Sequence, residues 1–272
     1  MGLSRHLTAV PAAGGHDEYT DFCEGIRRIC AIDLLQYKRG QMERRIRTFV
    51  TTRGHAGLPE YLKVLRTDRA ELEAFLDRVT INVSQLWRHP EQFDVLEKHV
   101  LPELAEKGRI RAWSAGCSYG AEAFTLAAVC KAVVPKANVT ITGVDIDPRM
   151  VERAREAIFS AADARSVKPG LMDKWFEKLP NGGFQAKPEL RAITRFEVGD
   201  LLRVQPRPAA YDLVMCRNTV IYFNDEVRDA LHARLVTALR PGGYLVVGAT
   251  ERVSDPAGIG LAPTHPFTYR KI

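Results

Sequence analysis

Apolar residues recur at two different spacings along this chain, and the change from one to the other divides it. Between residues 18 and 80 the spacing is helical. Met42, Ile46, Phe49 and Val50 fall on one stripe with Arg44 and Arg47 opposite. Leu72, Phe75, Leu76 and Val79 make a second stripe, and Gly54 with Gly57-Leu-Pro59 separates the two as turns. A small all-helical domain with an exposed arginine face is predicted over 18–80.

From Ile110 onward, short apolar runs alternate with helical stretches. Strands are predicted at 110–115, Asn138–Asp145, Ile193–Val198, Tyr211–Cys216 and Tyr244–Gly248, with a last edge strand over His265–Lys271. Helices between them make this an α/β, Rossmann-like sheet. Asp147-Pro148 opens one helix, aspartate as cap and proline in the first turn, and Asn224 caps another. Residues 160–192 break the rhythm with Lys168-Pro-Gly170 and Leu179-Pro-Asn-Gly-Gly183, which reads as an inserted β-subdomain with a hairpin. Residues 81–90 form a polar linker ahead of the helix bearing Phe93, Leu96, Val100 and Leu101, and His89 reads as a surface turn residue. Residues 1–17 read as a disordered tail, so the sheet domain runs over 91–272.

Polar groups collect where the predicted strands end. Ser114, Asp145, Asp200 and Cys216 stand at four carboxyl ends, the edge at which open α/β sheets bind ligands. Ser114-x-Gly116-x-Ser118-x-Gly120 carries strand into helix by a glycine turn suited to a nucleotide-like ligand. An acidic residue at the place of Asp145 accepts hydrogen bonds from ribose hydroxyls, although Asp145 and Asp147 share that place and either could simply cap the helix.

Composition narrows the compartment and the partners. At 272 residues and 46% apolar, the chain can bury one large core and a small second one. No run approaches the roughly 18 apolar residues of a membrane span, and no signal-peptide pattern opens the sequence. Five cysteines without a C-x-x-C argue for a reducing, cytoplasmic setting and against a metal site. The net charge of +6 is uneven: Arg27, Arg28, Lys38, Arg39, Arg44, Arg45, Arg47 and Arg53 crowd the first fifth. Aromatics are not interleaved with them as nucleic-acid stacking would require.

With these residues in hand, the chain resembles the CheR-type chemotaxis methyltransferases over nearly its full length. The ordered pieces are Tyr37-Lys38 with Arg44-Arg45, Ile81-Asn-Val-Ser with Arg88, Trp113-Ser-Ala-Gly-Cys-Ser118 and Asp145-Ile-Asp147. Cys216-Arg-Asn218 with Ile221-Tyr-Phe223, Pro241-Gly-Gly243 and Thr250-Glu251 complete the set. The resemblance implies a class I S-adenosylmethionine methyltransferase that methylates glutamates on the cytoplasmic helical bundles of chemoreceptors. It assigns Asn82, Ser84 and Arg88 to the cofactor's methionine end, Asp145 to its ribose, and Asp200-Leu201 to its adenine. Arg217-Asn218 would face the methyl donor, beside the turn of Gly116, and Arg88 with Tyr222 would position the substrate carboxylate.

The chain departs from the family's Ser-Thr-Gly-Glu-Glu-Pro-Tyr at Ser118-Tyr-Gly-Ala-Glu-Ala-Phe124. Ala121 takes the place of the glutamate expected at the cofactor's ammonium group, and Glu122 lies one residue on, about 100° around the helix. Tyr119 is expected to crowd the loop. Weakened cofactor binding follows, unless a re-shaped loop lets Glu122 serve instead. The arginine face is expected to dock acidic receptor helices, and a monomer is expected. The insert looks too short to tether a receptor tail. Two other readings are an inactive binding module of the same fold and a nucleic-acid methyltransferase. No N/D-P-P-Y stretch follows residues 211–216, and no Pro-Cys supplies a nucleophilic thiol.

Overall fold

The computed structural model describes residues 17–80, 84–168 and 170–272. The chain divides into two compact units between Val79 and Thr80.

The first unit is helical, as its periodicity dictates: α1 (Glu18–Cys30), α2 (Arg39–Thr52), α3 (Leu58–Thr67) and α4 (Arg69–Val79). Tyr19, Phe22, Cys23 and Ile26 of α1 are buried, with Met42, Ile46 and Val50 of α2. Aromatic rings knit the centre, Phe75 standing edge-on to Phe22 at 5.7 Å and to Tyr61 at 6.0 Å. The stripe on α4 differs from expectation. Leu72 and Leu76 are only half-buried, and Glu71 is buried beside Phe75. The carboxylate of Glu71 accepts from the Tyr61 hydroxyl at 2.7 Å and pairs with Arg53, which lets an acid occupy a core position.

The arginine face is more nearly neutral than the sequence suggests. Arg39 pairs with Asp17 at 2.5 Å and Glu43 at 2.9 Å, Arg47 with Glu43 at 2.9 Å, and Arg28 with Glu24 at 3.2 Å. Asp17, assigned to the tail, is therefore joined to this unit, while residues 1–16 lie outside the described residues.

The second unit opens with α5 (Pro90–Val95), a π-helical turn at Leu96–Val100, and α6 (Leu101–Ala105) in one continuous run. There follow β1 (Arg109–Ala115), α7 (Ala121–Val133), β2 (Asn138–Asp145) and α8 (Pro148–Glu156). The insert holds β3 (Ile158–Phe159), α9 (Leu171–Trp175), β4 (Phe176–Lys178), β5 (Phe184–Ala186) and α10 (Pro188–Arg191), its strands pairing antiparallel in the order β3-β5-β4. The main chain of the fold resumes at β6 (Thr194–Val198), β7 (Tyr211–Cys216), α11 (Asp225–Ala238), β8 (Leu239–Val247), β9 (Leu261–His265) and β10 (Thr268–Lys271).

The seven-stranded sheet runs β6-β2-β1-β7-β8-β10-β9. The first five strands are parallel, and β10 and β9 close one side antiparallel. This is the class I methyltransferase arrangement. The expected edge strand is in fact the inner strand of a hairpin: β10 pairs with β8, and β9, unmarked in the sequence, forms the edge.

Burial explains the apolar runs. Within β7 the last five positions are buried, and in α7 every residue from Ala123 to Cys130 is buried, since the helix is enclosed on all sides. No helix among the described residues is long and apolar enough to cross a membrane. Nor do the described residues gather three metal-ligating side chains.

Candidate active site at the carboxyl edge of the sheet

Because β6, β2, β1 and β7 are parallel neighbours, their carboxyl ends share one edge, which carries Val198, Asp145, Ala115 and Cys216. β1 leaves the sheet at Gly116, whose φ is +80°, and a Cβ there would fall 2.5 Å from Thr219 Oγ1. Gly120, at φ +86°, turns the chain into α7. The amides of Gly116 and Cys117 both donate to the Val144 carbonyl, at 2.8 and 3.0 Å, so the turn is moored to β2.

The two aspartates divide the work. Asp147 caps α8 by accepting from the Arg149 amide at 3.0 Å, and pairs with the Arg149 guanidinium at 2.9 Å. Asp145 instead accepts from the Ser118 amide at 2.7 Å through Oδ2 and from the Asp147 amide at 3.0 Å through Oδ1. A carboxylate has about four accepting sites, so capacity remains for a ligand. Burial pushes the Asp145 carboxyl above its ordinary value, against the pull of those amides. Beside it the Ser118 hydroxyl is buried with no hydrogen-bond partner among the described residues. A buried acceptor pair and an orphaned hydroxyl on a glycine turn suit the ribose of S-adenosylmethionine, and the residues present fit that cofactor.

Of Ala121 and Glu122, it is Glu122 that presents a polar group at the edge. Ala121 is wholly buried in the core. Glu122 reaches the edge without any distortion of the helix. Its Oε1 accepts from the Ser114 hydroxyl at 2.7 Å, and its Oε2 meets Arg217 at 3.1 Å. α7 begins directly after Gly120, and its second residue meets the strand ends at Ser114 and Arg217.

Arg217 is spent inside the edge. Its side chain is 2% exposed and donates to Gln92 Oε1 at 2.7 Å, Glu122 Oε2 at 3.1 Å and the Arg88 carbonyl at 2.5 Å. The Gln92 amide passes the chain of bonds on to the Val247 carbonyl at 2.8 Å. The guanidinium therefore braces the edge from within and leaves Asn218, at φ +58°, as the more accessible member of the pair. Arg88 and Tyr222 are half-buried, the latter in a 3₁₀ turn at Val220–Tyr222. Asp200 directs one oxygen to the Leu202 amide at 2.8 Å and the other to Arg203 at 3.3 Å, and Leu201 is buried next to it. Asn82 lies outside the described residues.

Tyr119 does not crowd the loop. Its hydroxyl lies between the Ser84 carbonyl and Asp163 Oδ1, the latter at 2.8 Å, and the Arg153 guanidinium stacks 3.9 Å over its ring. Asp163 also pairs with Arg153 at 3.2 Å, and its carbonyl accepts the Leu86 amide at 3.0 Å. Tyr119 thus ties the polar linker to the glycine turn and to the insert's first turn. Tyr119→Phe removes the hydroxyl alone and is expected to weaken S-adenosylhomocysteine binding about three- to tenfold. Calorimetry checks this, and unchanged affinity removes Tyr119 from the account of the site.

Gln92 and Glu251 escaped the sequence reading as site residues. Gln92 sits among apolar positions, and its only signal is that a polar residue interrupts a buried stripe. Glu251 belongs to one of the resembling segments but carries no role there.

Comparison with known proteins agrees with this geometry. Residues 82–260 match the CheR methyltransferase, SAM binding domain, and residues 17–80 match the CheR methyltransferase, all-alpha domain. A "Chemotaxis protein methyltransferase" of Listeria innocua is 34% identical over 257 residues, covering 93% of this chain and 97% of its own. "Chemotaxis protein methyltransferase 1" of Pseudomonas aeruginosa is 30% identical over 241 residues, covering 85% and 88%. The chain belongs to the CheR methyltransferase family.

Proposed function

We propose that this protein transfers the methyl group of S-adenosylmethionine to glutamate side chains on the cytoplasmic helical bundles of chemoreceptors. The observation that carries the reading is the built carboxyl edge, where Asp145, Ser118 and Glu122 gather on one glycine turn. When bound, the cofactor supplies an electrophilic methyl group on a sulfonium. Asp145 holds the ribose, Leu201 with Asp200 walls the adenine, and Ser84, Glu122 and Asn218 lie toward the methionine end. Asn82 joins them by resemblance alone.

A glutamate acceptor is already ionised at neutral pH, so the chain need supply no strong base. Its task is to orient the carboxylate and to keep water away. Arg88 and Tyr222 are the residues for this, an arginine and a phenol hydroxyl that together hold a carboxylate. Cys216 is wholly buried, and burial pushes its thiol well above the ordinary value, which removes it as a nucleophile for a nucleic-acid base. The five free cysteines accord with a cytoplasmic protein, which we take to act as a monomer.

Transfer of labelled methyl groups to purified receptor cytoplasmic fragments is the test. Labelling of RNA instead, or of no acceptor while cofactor still binds, overturns the reading in favour of a nucleic-acid enzyme or a binding module.

The arginine-rich helical unit is assigned to receptor docking. Since acids already engage Arg39 and Arg47, the exposed Arg44 carries more of the encounter than the count of arginines suggests. Exposed charges chiefly steer association, so salt should raise the apparent KM. Arg44→Glu with Arg47→Glu is expected to raise KM for receptor about three- to tenfold at low salt while S-adenosylhomocysteine affinity stays level. Normal methylation by the double variant at low salt makes the face plain solvated surface.

A further inference from the structure

The turn after β7 carries Asn218 and Tyr222, on which the proposed chemistry depends, and one buried carboxylate holds that turn from behind. Glu251 is 3% exposed. Its Oε2 accepts from the amides of Gly248 at 2.6 Å and Asn218 at 2.8 Å. Its Oε1 accepts from the amides of Val220 at 3.1 Å and Ile221 at 3.3 Å. Each oxygen therefore serves one half of the turn, the cofactor-facing half or the half that leads into Tyr222.

The surroundings are shaped for this carboxylate. Asn218 adopts a left-handed conformation, which points its amide at Glu251. Gly248 clears the space beside it, since a Cβ there would stand 2.6 Å from Glu251 Oε2 and 2.8 Å from the Asn218 nitrogen. Burying a carboxylate is costly unless its lone pairs are satisfied, and here four backbone donors satisfy them. A buried acid that merely filled space could be replaced by an apolar residue. This one satisfies the amides of Asn218 and Gly248 and those of Val220 and Ile221, the first N–H groups of the 3₁₀ turn, which have no acceptor within it.

We infer that Glu251 is a positioning residue for methyl transfer: its two oxygens fix the 218–221 turn and so set the distance between Asn218, at the cofactor, and Tyr222, at the acceptor. This rests on the function proposed above. The carboxylate touches neither reactant, and it acts through the backbone that carries both residues.

Glu251→Gln tests the assignment, because it keeps the shape and removes half of the accepting capacity. Whichever way the amide is turned, its NH₂ confronts two backbone N–H groups. The longer bonds, to Val220 and Ile221, are the ones to be given up, so the Tyr222 half should loosen first. In the full chain kcat for receptor methylation should fall at least about tenfold while S-adenosylhomocysteine affinity changes by less than about threefold. Amide exchange at Val220 and Ile221 should quicken with S-adenosylhomocysteine bound. Tyr222→Phe should add little once Glu251 is changed, because both act on the same placement.

Full kcat, unchanged exchange at those two amides, or independent multiplication of the two substitutions overturns the inference. A parallel loss of cofactor affinity and thermal stability overturns it as well, in favour of a purely structural acid. If native protein methylates no receptor, the function proposed above fails, and the exchange measurement alone then decides whether Glu251 holds the turn. Should the glutamine variant not fold, Gly248→Ala presses on the same carboxylate from the opposite side. It should lower kcat, with some loss of cofactor affinity because Asn218 is pressed as well, and normal kcat there overturns the inference.

Discussion

Arg217→Met is expected to lower the stability of the sheet-bearing unit by about 3–5 kcal/mol, the usual cost of stranding one member of a buried ion pair. Methionine fills much of the same volume, so the loss comes from electrostatics and unmade bonds. The Glu122 carboxylate, the Gln92 carbonyl and the Arg88 carbonyl would all lose their donor together. Urea unfolding of the variant measures the effect. Adding Glu122→Gln should recover part of the loss, since the charge left unpaired is then gone. A single variant as stable as the native chain would falsify the account of Arg217 as an internal brace.

The second large effect concerns binding. Asp145→Ala is expected to weaken S-adenosylhomocysteine affinity by on the order of tenfold to a hundredfold, since a charge-assisted contact is lost. Some of that loss comes from the loop, because Asp145 also holds the Ser118 amide. Asp145→Asn separates the contributions: it keeps the volume, retains one accepting oxygen, and should fall between native and alanine. The pH dependence has a definite sign. Burial raises the Asp145 pKa in the folded chain, so ionising this group opposes folding as pH rises through that raised value. Ligand binding runs the other way, because the ribose needs the ionised carboxylate. Affinity should therefore weaken on acidification, starting above the ordinary aspartate range, and this dependence should vanish in the alanine variant. Alanine and native proteins of equal affinity at neutral pH would remove Asp145 from the ribose site.

Local pattern foretold most of the sheet. Short, mostly apolar runs such as Leu213–Cys216 read as buried strands, and their polar ends had to share an edge once the strands were parallel. What escaped depends on partners far along the chain. The burial of Glu71 is unmarked in the sequence because its arginine lies eighteen residues earlier. The inward bonds of Arg217 were not legible because its partner Gln92 is 125 positions away. The contacts of Glu122 with Ser114 and Arg217 depend on the phase of α7, which no periodicity reveals. The hairpin edge β9 escaped because Pro263 spoils its alternation, and an edge strand tolerates a proline that an inner one would not.

The π-helical turn at Leu96–Val100 has a consequence for how the helix leading into β1 can vary. Gln92, Leu96, Val100 and Leu104 are all buried, four apart each time. In an undisturbed α-helix such a series drifts about 40° per step, which over three steps would carry its ends onto different faces. One surplus residue wound into the middle resets the count, so a single stripe delivers an amide to Arg217 at one end and leucine to the core at the other. Insertions and deletions inside 96–100 therefore act as a rotary dial. Losing one residue there would leave the composition nearly intact yet turn Gln92 out of mesh with the guanidinium it serves, so length in this turn is held as tightly as any side chain.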